Sequence, residues 1–234
     1  MEKDIELIIK RVAEEVYTMV RAEAQNGAAS VGSSSGEWMF AKMQTSLTLA
    51  EVQQACAQVK GSKAKTICLP QWFVAPAVEM LKGSGVKVAT VVGLPGGTTS
   101  SFAKYAEVKQ AVVAGAETVL IPVNMTLCAM SEWGTAKNDL ADSMVPCKGK
   151  AECCAVVEVD SLSCDQLEMA ADMCASCGVD MVMLSAVVGG SVTDAQVQAV
   201  KKKGVRVGVY GGVNQANVNA YQQAGATCFV SSSC

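Results

Sequence analysis

From Glu37 to the C-terminus, eight short runs rich in β-branched residues alternate with segments of helical period, and this rhythm limits the fold more than any other feature. Such alternation is the sequence form of repeated βα units around a parallel sheet. The strand candidates are Trp38 to Met43, Thr66 to Leu69, Val86 to Val92, Thr118 to Val123, Cys154 to Val159, Met181 to Ala186, Val205 to Tyr210 and Thr227 to Ser231. Helices are expected between them, centred near Val52, Val78, Val108, Leu140, Leu167, Val197 and Val218. Ser46 to Thr48, Thr193-Asp194 and Asn214 supply capping groups, and Gly83, Gly115, Gly178, Gly204 and Gly225 supply stops. Eight strands and seven helices suit a small α/β (βα)8 TIM barrel, with an open doubly wound sheet as the runner-up. Because the sequence ends at Cys234, just past the last strand candidate, the expected barrel lacks a C-terminal eighth helix. An N-terminal helix, a neighbouring subunit and plain exposure are the candidates for that flank.

Residues 3–24 carry Ile5, Ile8, Ile9, Val12, Val16, Met19 and Val20 at spacings of three and four, which predicts one amphipathic helix. Residues 25–36 are rich in Gly, Ser and Ala and read as a flexible linker. The expected organisation is therefore a helix over 1–24, used for targeting or assembly, a linker over 25–36 and a barrel over 37–234. The helix is either a tethered module or a cover for the following domain. Its polar face mixes Glu2, Asp4, Glu6, Glu14 and Glu15 with few cations, which argues against a membrane-surface role.

Composition removes several chemistries. The chain has no histidine, so a Ser-His-Asp triad, a Cys-His pair and an imidazole base are impossible. Nineteen Lys and Arg against 22 Asp and Glu give a net charge of -3, which offers no basic field for nucleic acid. No apolar run approaches the roughly 20 residues of a membrane span. Eleven cysteines follow a charged N-terminus without a signal-peptide pattern, so a reducing cytoplasm and buried free thiols are expected. The single CxxC, Cys174 and Cys177, is a weak metal signal.

In a barrel the reacting groups stand at the C-terminal ends of strands and in the loops that follow. Gly96-Gly97, Gly189-Gly190 and Gly211-Gly212 fall there, each able to bring backbone N–H groups to an anion. Gly211 and Gly212 with Ser232 and Ser233 make the candidate phosphate cradle. Lys42, sharing alternation with Trp38 and Phe40, is the lysine with an inward chance on a strand, although a surface or barrel-end position is the plainer reading. Glu158 and Asp160, two apart on strand five and pointing the same way, could act as acid and base or hold a divalent cation. No cofactor and no metal are expected.

The segments Thr66 to Leu69 with Phe73, 81–97 (LKGSGVKVATVVGLPGG) and 107–117 (EVKQAVVAGAE) resemble deoxyribose-phosphate aldolase, a class I lyase family. Residues 156–159, 178–185, 207–213 and 224–233 continue the likeness in order, so it covers roughly residues 45–233. The resemblance implies Schiff-base chemistry, with a strand-six lysine as nucleophile, a strand-seven lysine that lowers its pKa and a strand-four aspartate that moves protons. At those positions this chain has Met183, Tyr210 and Leu120. Met39 stands where the family has a strand-one aspartate, Val187 and Val230 replace glycines of its phosphate end, and Glu158 matches a family glutamate, which implies a structural or site-lining hydrogen-bond role as its plain reading.

Three functions remain open. The preferred one is a non-catalytic or chemically altered aldolase paralogue that binds a small phosphorylated ligand and forms a homo-oligomer. The second is an active lyase on a related sugar phosphate, using Lys42 or Glu158 with Asp160. The third makes residues 3–24 an encapsulation peptide that docks on a shell protein, placing the chain inside a bacterial microcompartment as cargo or scaffold.

Overall fold

The computed structural model describes residues 36–186, 190–214 and 216–232. Within them, eight parallel strands close into a barrel in sequential order, β1 pairing with both β2 and β8. The strands are β1 Glu37–Ala41, β2 Thr66–Cys68, β3 Lys87–Val91, β4 Thr118–Pro122, β5 Glu152–Glu158, β6 Met181–Ser185, β7 Arg206–Tyr210 and β8 Cys228–Ser231. The helices are α1 Leu49–Lys60, α2 Val74–Leu81, α3 Ser101–Val113, α4 Met125–Ala129, α5 Trp133–Met144, α6 Cys164–Cys177, α7 Asp194–Lys201 and α8 Val218–Ala224. All eight expected strands and all seven expected helices are present, and no described helix follows β8. The expected helix over 1–24 and all but Gly36 of the expected linker over 25–36 lie outside the described residues.

The two faces of each strand bury different material. Trp38, Phe40, Ile67, Val119, Val182, Leu184, Val207, Val209 and Phe229 pack outward with the helices. Met39, Ala41, Cys68, Ala89, Leu120, Cys154, Val156, Met181, Met183, Cys228 and Val230 fill the interior. Burial on both faces is why the strands read as continuous apolar runs without alternation.

Local hydrogen bonds fix the helix starts. Thr48, Ser163 and Thr193 each form a capping box, with Glu51, Gln166 and Gln196 reaching back. One helix is additional to the sequence expectation: Asn124 accepts from the Leu127 N–H at 3.3 Å and starts the short α4 where periodicity predicts loop. At the foot of the barrel, Arg206 bonds Glu37 of β1 at 2.7 Å and Glu152 of β5 at 2.5 Å, linking three strands. Of the ten described cysteines all are free thiols, and only Cys164 is exposed and Cys177 half-buried. No described helix is long and apolar enough to cross a membrane.

Candidate active site at the C-terminal mouth

Strand parity decides what the mouth contains. On β5 the inward series is Cys154, Val156 and then Glu158, and on β6 it is Met181, Met183 and then Ser185. On β7, Gly208 and Tyr210 face in. Register places Glu158 beside Ser185 and Ser185 beside Tyr210, so the rim carries one polar row across three neighbouring strands. Burial, the thiol of Cys68 and the carboxylate of Glu158 push the Tyr210 phenol above its ordinary value. The phenol is therefore a neutral donor at physiological pH. Ser185 is 1% exposed, and its hydroxyl has no hydrogen-bond partner among the described residues. A buried hydroxyl left without a partner costs about 1–3 kcal/mol, so this group is a natural point of contact for a ligand or an ordered water.

Beneath the row the wall is apolar. Leu120 and Met183 are buried in the interior, and Met183 lies over Gly208, where a Cβ would come within 2.7 Å of its Cε. The three positions at which the resemblance implies the aspartate and the two lysines thus all line the barrel, and they present a leucine, a methionine and a tyrosine. Met39 and Val230 are interior as well, whereas Val187 and Gly189 lie outside the described residues.

Of the two readings of Lys42, strand parity favours the barrel-end one over the inward one. β1 ends at Ala41, and the parity that Lys42 shares with Trp38 and Phe40 faces the helix layer, because Met39 and Ala41 occupy the interior. Lys42 donates its backbone N–H to the Cys68 carbonyl at 2.9 Å, and its charge acts on Glu51 at the start of α1. The pairing of Glu158 with Asp160 as i and i+2 of one strand also fails. Glu158 closes β5, while Asp160 sits in a 3-10 turn over Val159–Ser161. The Asp160 carboxylate instead rests against Gly190 of the loop after β6, where a Cβ would come within 2.4 Å of Oδ1. No group of three or more metal-ligating His, Cys, Asp or Glu side chains occurs among the described residues.

The cradle residues do share one end of the barrel. Gly211 and Gly212 follow β7, Ser232 follows β8, and those strands are paired up to Tyr210 and Val230. Gly211 has φ +94° and lies so close to the Ala186 carbonyl that a Cβ would meet its oxygen at 2.7 Å. Asn217 donates its side-chain amide to the Gly212 carbonyl at 2.7 Å, fixing the turn. Ser232 is exposed, and Ser233 lies outside the described residues.

Sequence reasoning missed one network that shapes the rim. Lys104 of α3 is fully buried and donates to the Gly97 carbonyl at 3.0 Å and to Asp139 of α5. Glu107, one turn along, accepts the Gly93 N–H at 2.7 Å. The loop over 93–99 after β3 is thereby held from both ends. The signal was present: Lys104, Val108 and Ala111 form the buried stripe of α3 at spacings of four and three.

Comparisons with known proteins agree with this architecture. The family description "DeoC/LacD family aldolase" matches residues 31–149, and that of the C-terminal domain of quinolinate phosphoribosyl transferase matches residues 113–234. The chain is 30% identical over 184 residues to the deoxyribose-phosphate aldolase of Streptococcus equi subsp. zooepidemicus, covering 76% of this chain and 82% of that protein. Its fold is similar to that of a Coccidioides immitis protein described as a deoxyribose-phosphate aldolase, with TM-score 0.80 and 22% identity over 85% of this chain and 81% of that one. The tetrameric deoxyribose phosphate aldolase of Aeropyrum pernix gives TM-score 0.77 and 19% identity over 91% and 94% of the two chains. Both the first half of the sequence and its full-length relatives lead to one assignment: the chain belongs to the DeoC/LacD aldolase family.

Proposed function

We propose that this barrel is an aldolase paralogue that binds a small phosphorylated sugar or polyol at its C-terminal mouth and does not form an imine with it. The observation that carries the reading is the distribution of lysine. Among the described strands the sole lysine is Lys87, exposed at the foot of β3 and at the opposite end from the mouth. An imine needs an amine whose nitrogen reaches the bound carbonyl, and a thioether or a neutral phenol cannot supply one. What the mouth offers instead is recognition. Glu158 accepts, Ser185 does either, Tyr210 donates, and the backbone at Gly211 and Gly212 with the Ser232 hydroxyl suits a phosphate.

Self-association belongs to the same reading. The Aeropyrum pernix relative is a tetramer, and here Trp72 and Phe102 are 84% and 81% exposed on segments joined by the Gln71 side chain, which donates to the Glu107 carbonyl at 2.8 Å. A second copy of the chain is the partner that would cover them.

The test is incubation with deoxyribose 5-phosphate, split into two arms and read by intact-protein mass spectrometry. With borohydride, no covalent adduct is expected on protein shown to be folded. Without it, under native conditions, a noncovalent one-to-one complex is expected. A stoichiometric adduct on a single lysine would overturn the reading and return the chain to the imine-forming lyases. Absence of the noncovalent complex would remove its ligand-binding half.

A further inference from the structure

We infer that the ligand of the mouth is amphipathic: a phosphorylated polyol that carries an apolar tail, with its polar end on β5–β8 and its tail on β1–β4. The inference rests on the reading of this mouth as a site for a phosphorylated ligand, and it names which members of that class the site takes. Its ground is a division of the inner wall by strand. Toward the mouth, the inward side chains of β5, β6 and β7 are Glu158, Ser185 and Tyr210, and just past β8 stands the Ser232 hydroxyl. On the other four strands the inward side chains are Met43 just past β1, Cys68 of β2, Val91 of β3, and Leu120 with Pro122 of β4. Toward the mouth, these four strands turn no charged group and no hydroxyl inward.

The two halves face one another. The Cys68 thiol of β2 is close enough to the Tyr210 phenol of β7 to help raise its pKa, and the Met43 thioether lies 4.0 Å from the same thiol. Burial pushes that thiol up to about 12, so it stays uncharged and belongs to the apolar side. Met43, Val91 and Tyr210 are only half-buried, unlike Leu120 and Met183, and so they border open space. Each methylene that a ligand buries against such a wall strengthens binding about fourfold. A hydroxyl placed there gives up its water and finds no partner. A ligand hydroxylated along its whole length therefore matches only one half of the mouth.

The polar half shows where the other end is held. The Ser185 hydroxyl, buried and without a partner among the described residues, stands in register between Glu158 and Tyr210. That row suits the hydroxyls of a polyol, next to the turn at Gly211 and Gly212 that suits its phosphate. The same asymmetry continues onto the rim. Leu94 after β3 and Met130 beyond β4 are exposed, whereas among the described residues no loop that follows β5, β6, β7 or β8 carries a large exposed apolar side chain.

The test is calorimetric titration of the full-length protein with glycerol 3-phosphate, with 1-hexanoylglycerol 3-phosphate and with 1-hexanoylglycerol. Expected is a Kd for the hexanoyl phosphate at least about tenfold below those of the other two probes. Val91→Thr, which keeps the shape of the side chain and adds a hydroxyl, should cut the ratio between the two phosphates about fourfold, the worth of one methylene. Met43→Gln, at another half-buried position, makes the same comparison should the first variant fail to fold. Equal binding of the two phosphates, or a preference for the one without a tail, would overturn the inference and leave the phosphorylated-ligand reading standing. No binding of either phosphate would overturn both. Hexanoylglycerol bound as tightly as its phosphate, or a ratio unmoved in the variants, would place the tail away from this wall and overturn the inference as well.

Discussion

Asp139 is the partner of the one fully buried charge among the described residues, the ammonium of Lys104. Removing one member of such a pair leaves the other without compensation, a loss of about 3–5 kcal/mol. Asp139→Ala is therefore expected to lower the urea midpoint sharply, whereas Asp165→Ala, at the exposed start of α6, should change it little; parallel denaturation curves check both. The candidate site shows the same dependence on what surrounds a residue. Leu120, Met183 and Tyr210 are legible as barrel residues because neighbouring motifs fix their register. Lys42 is not, because β1 is apolar on both faces and its alternation is symmetric between inside and outside. Only the closed barrel shows that Met39 and Ala41 hold the interior. The polar row of Glu158, Ser185 and Tyr210 cannot be read from sequence at all, since it depends on the pairing of three strands.

At the scale of elements, the strands are legible as β-branched runs and the helices by their caps, because both signals are local. Less legible are the connections, where tertiary contacts decide the path. The loop from β3 to α3 is the clearest instance. Gly97 has φ +68°, and a Cβ there would lie 2.3 Å from the carbonyl oxygen of Pro122, the last residue of β4, and 2.6 Å from that of Val123, the residue after it. These neighbours are backbone and cannot turn aside. Gly97→Ala thus combines a strained conformation with a collision, and a loss of at least about 2 kcal/mol is expected. Gly134→Ala is the control, because it lies within α5 with nothing within 4 Å of the place its methyl would take. Thermal melting of the pair should show Gly97→Ala well below the parent and Gly134→Ala at or above it.

For the whole molecule, the sulfur content of the interior sets the response to alkali. Burial pushes the thiols of Cys68 and Cys228 up to about 12 and that of Cys128 up to about 11, and it raises Cys154 and Cys174 as well. In the unfolded chain these groups release their protons near 9, the ordinary thiol value. Between pH 9 and the folded values the unfolded state binds fewer protons than the native one, so unfolding becomes easier as pH rises. The stabilisation is complete below about pH 8 and falls with a slope approaching 1.4 kcal/mol per pH unit for each thiol that stays protonated in the fold. Tyr210 and Tyr221, also raised by burial, add to the same trend at higher pH. Urea unfolding under reducing conditions should therefore give a flat stability from pH 6 to 8 and a steep loss above 9. A Cys68→Ala/Cys228→Ala protein starts from a lower stability because two buried groups are trimmed, but its loss per pH unit above 9 should be shallower than the parent's. An equal slope in the two proteins would mean that these interior thiols are not what opens the barrel in alkali.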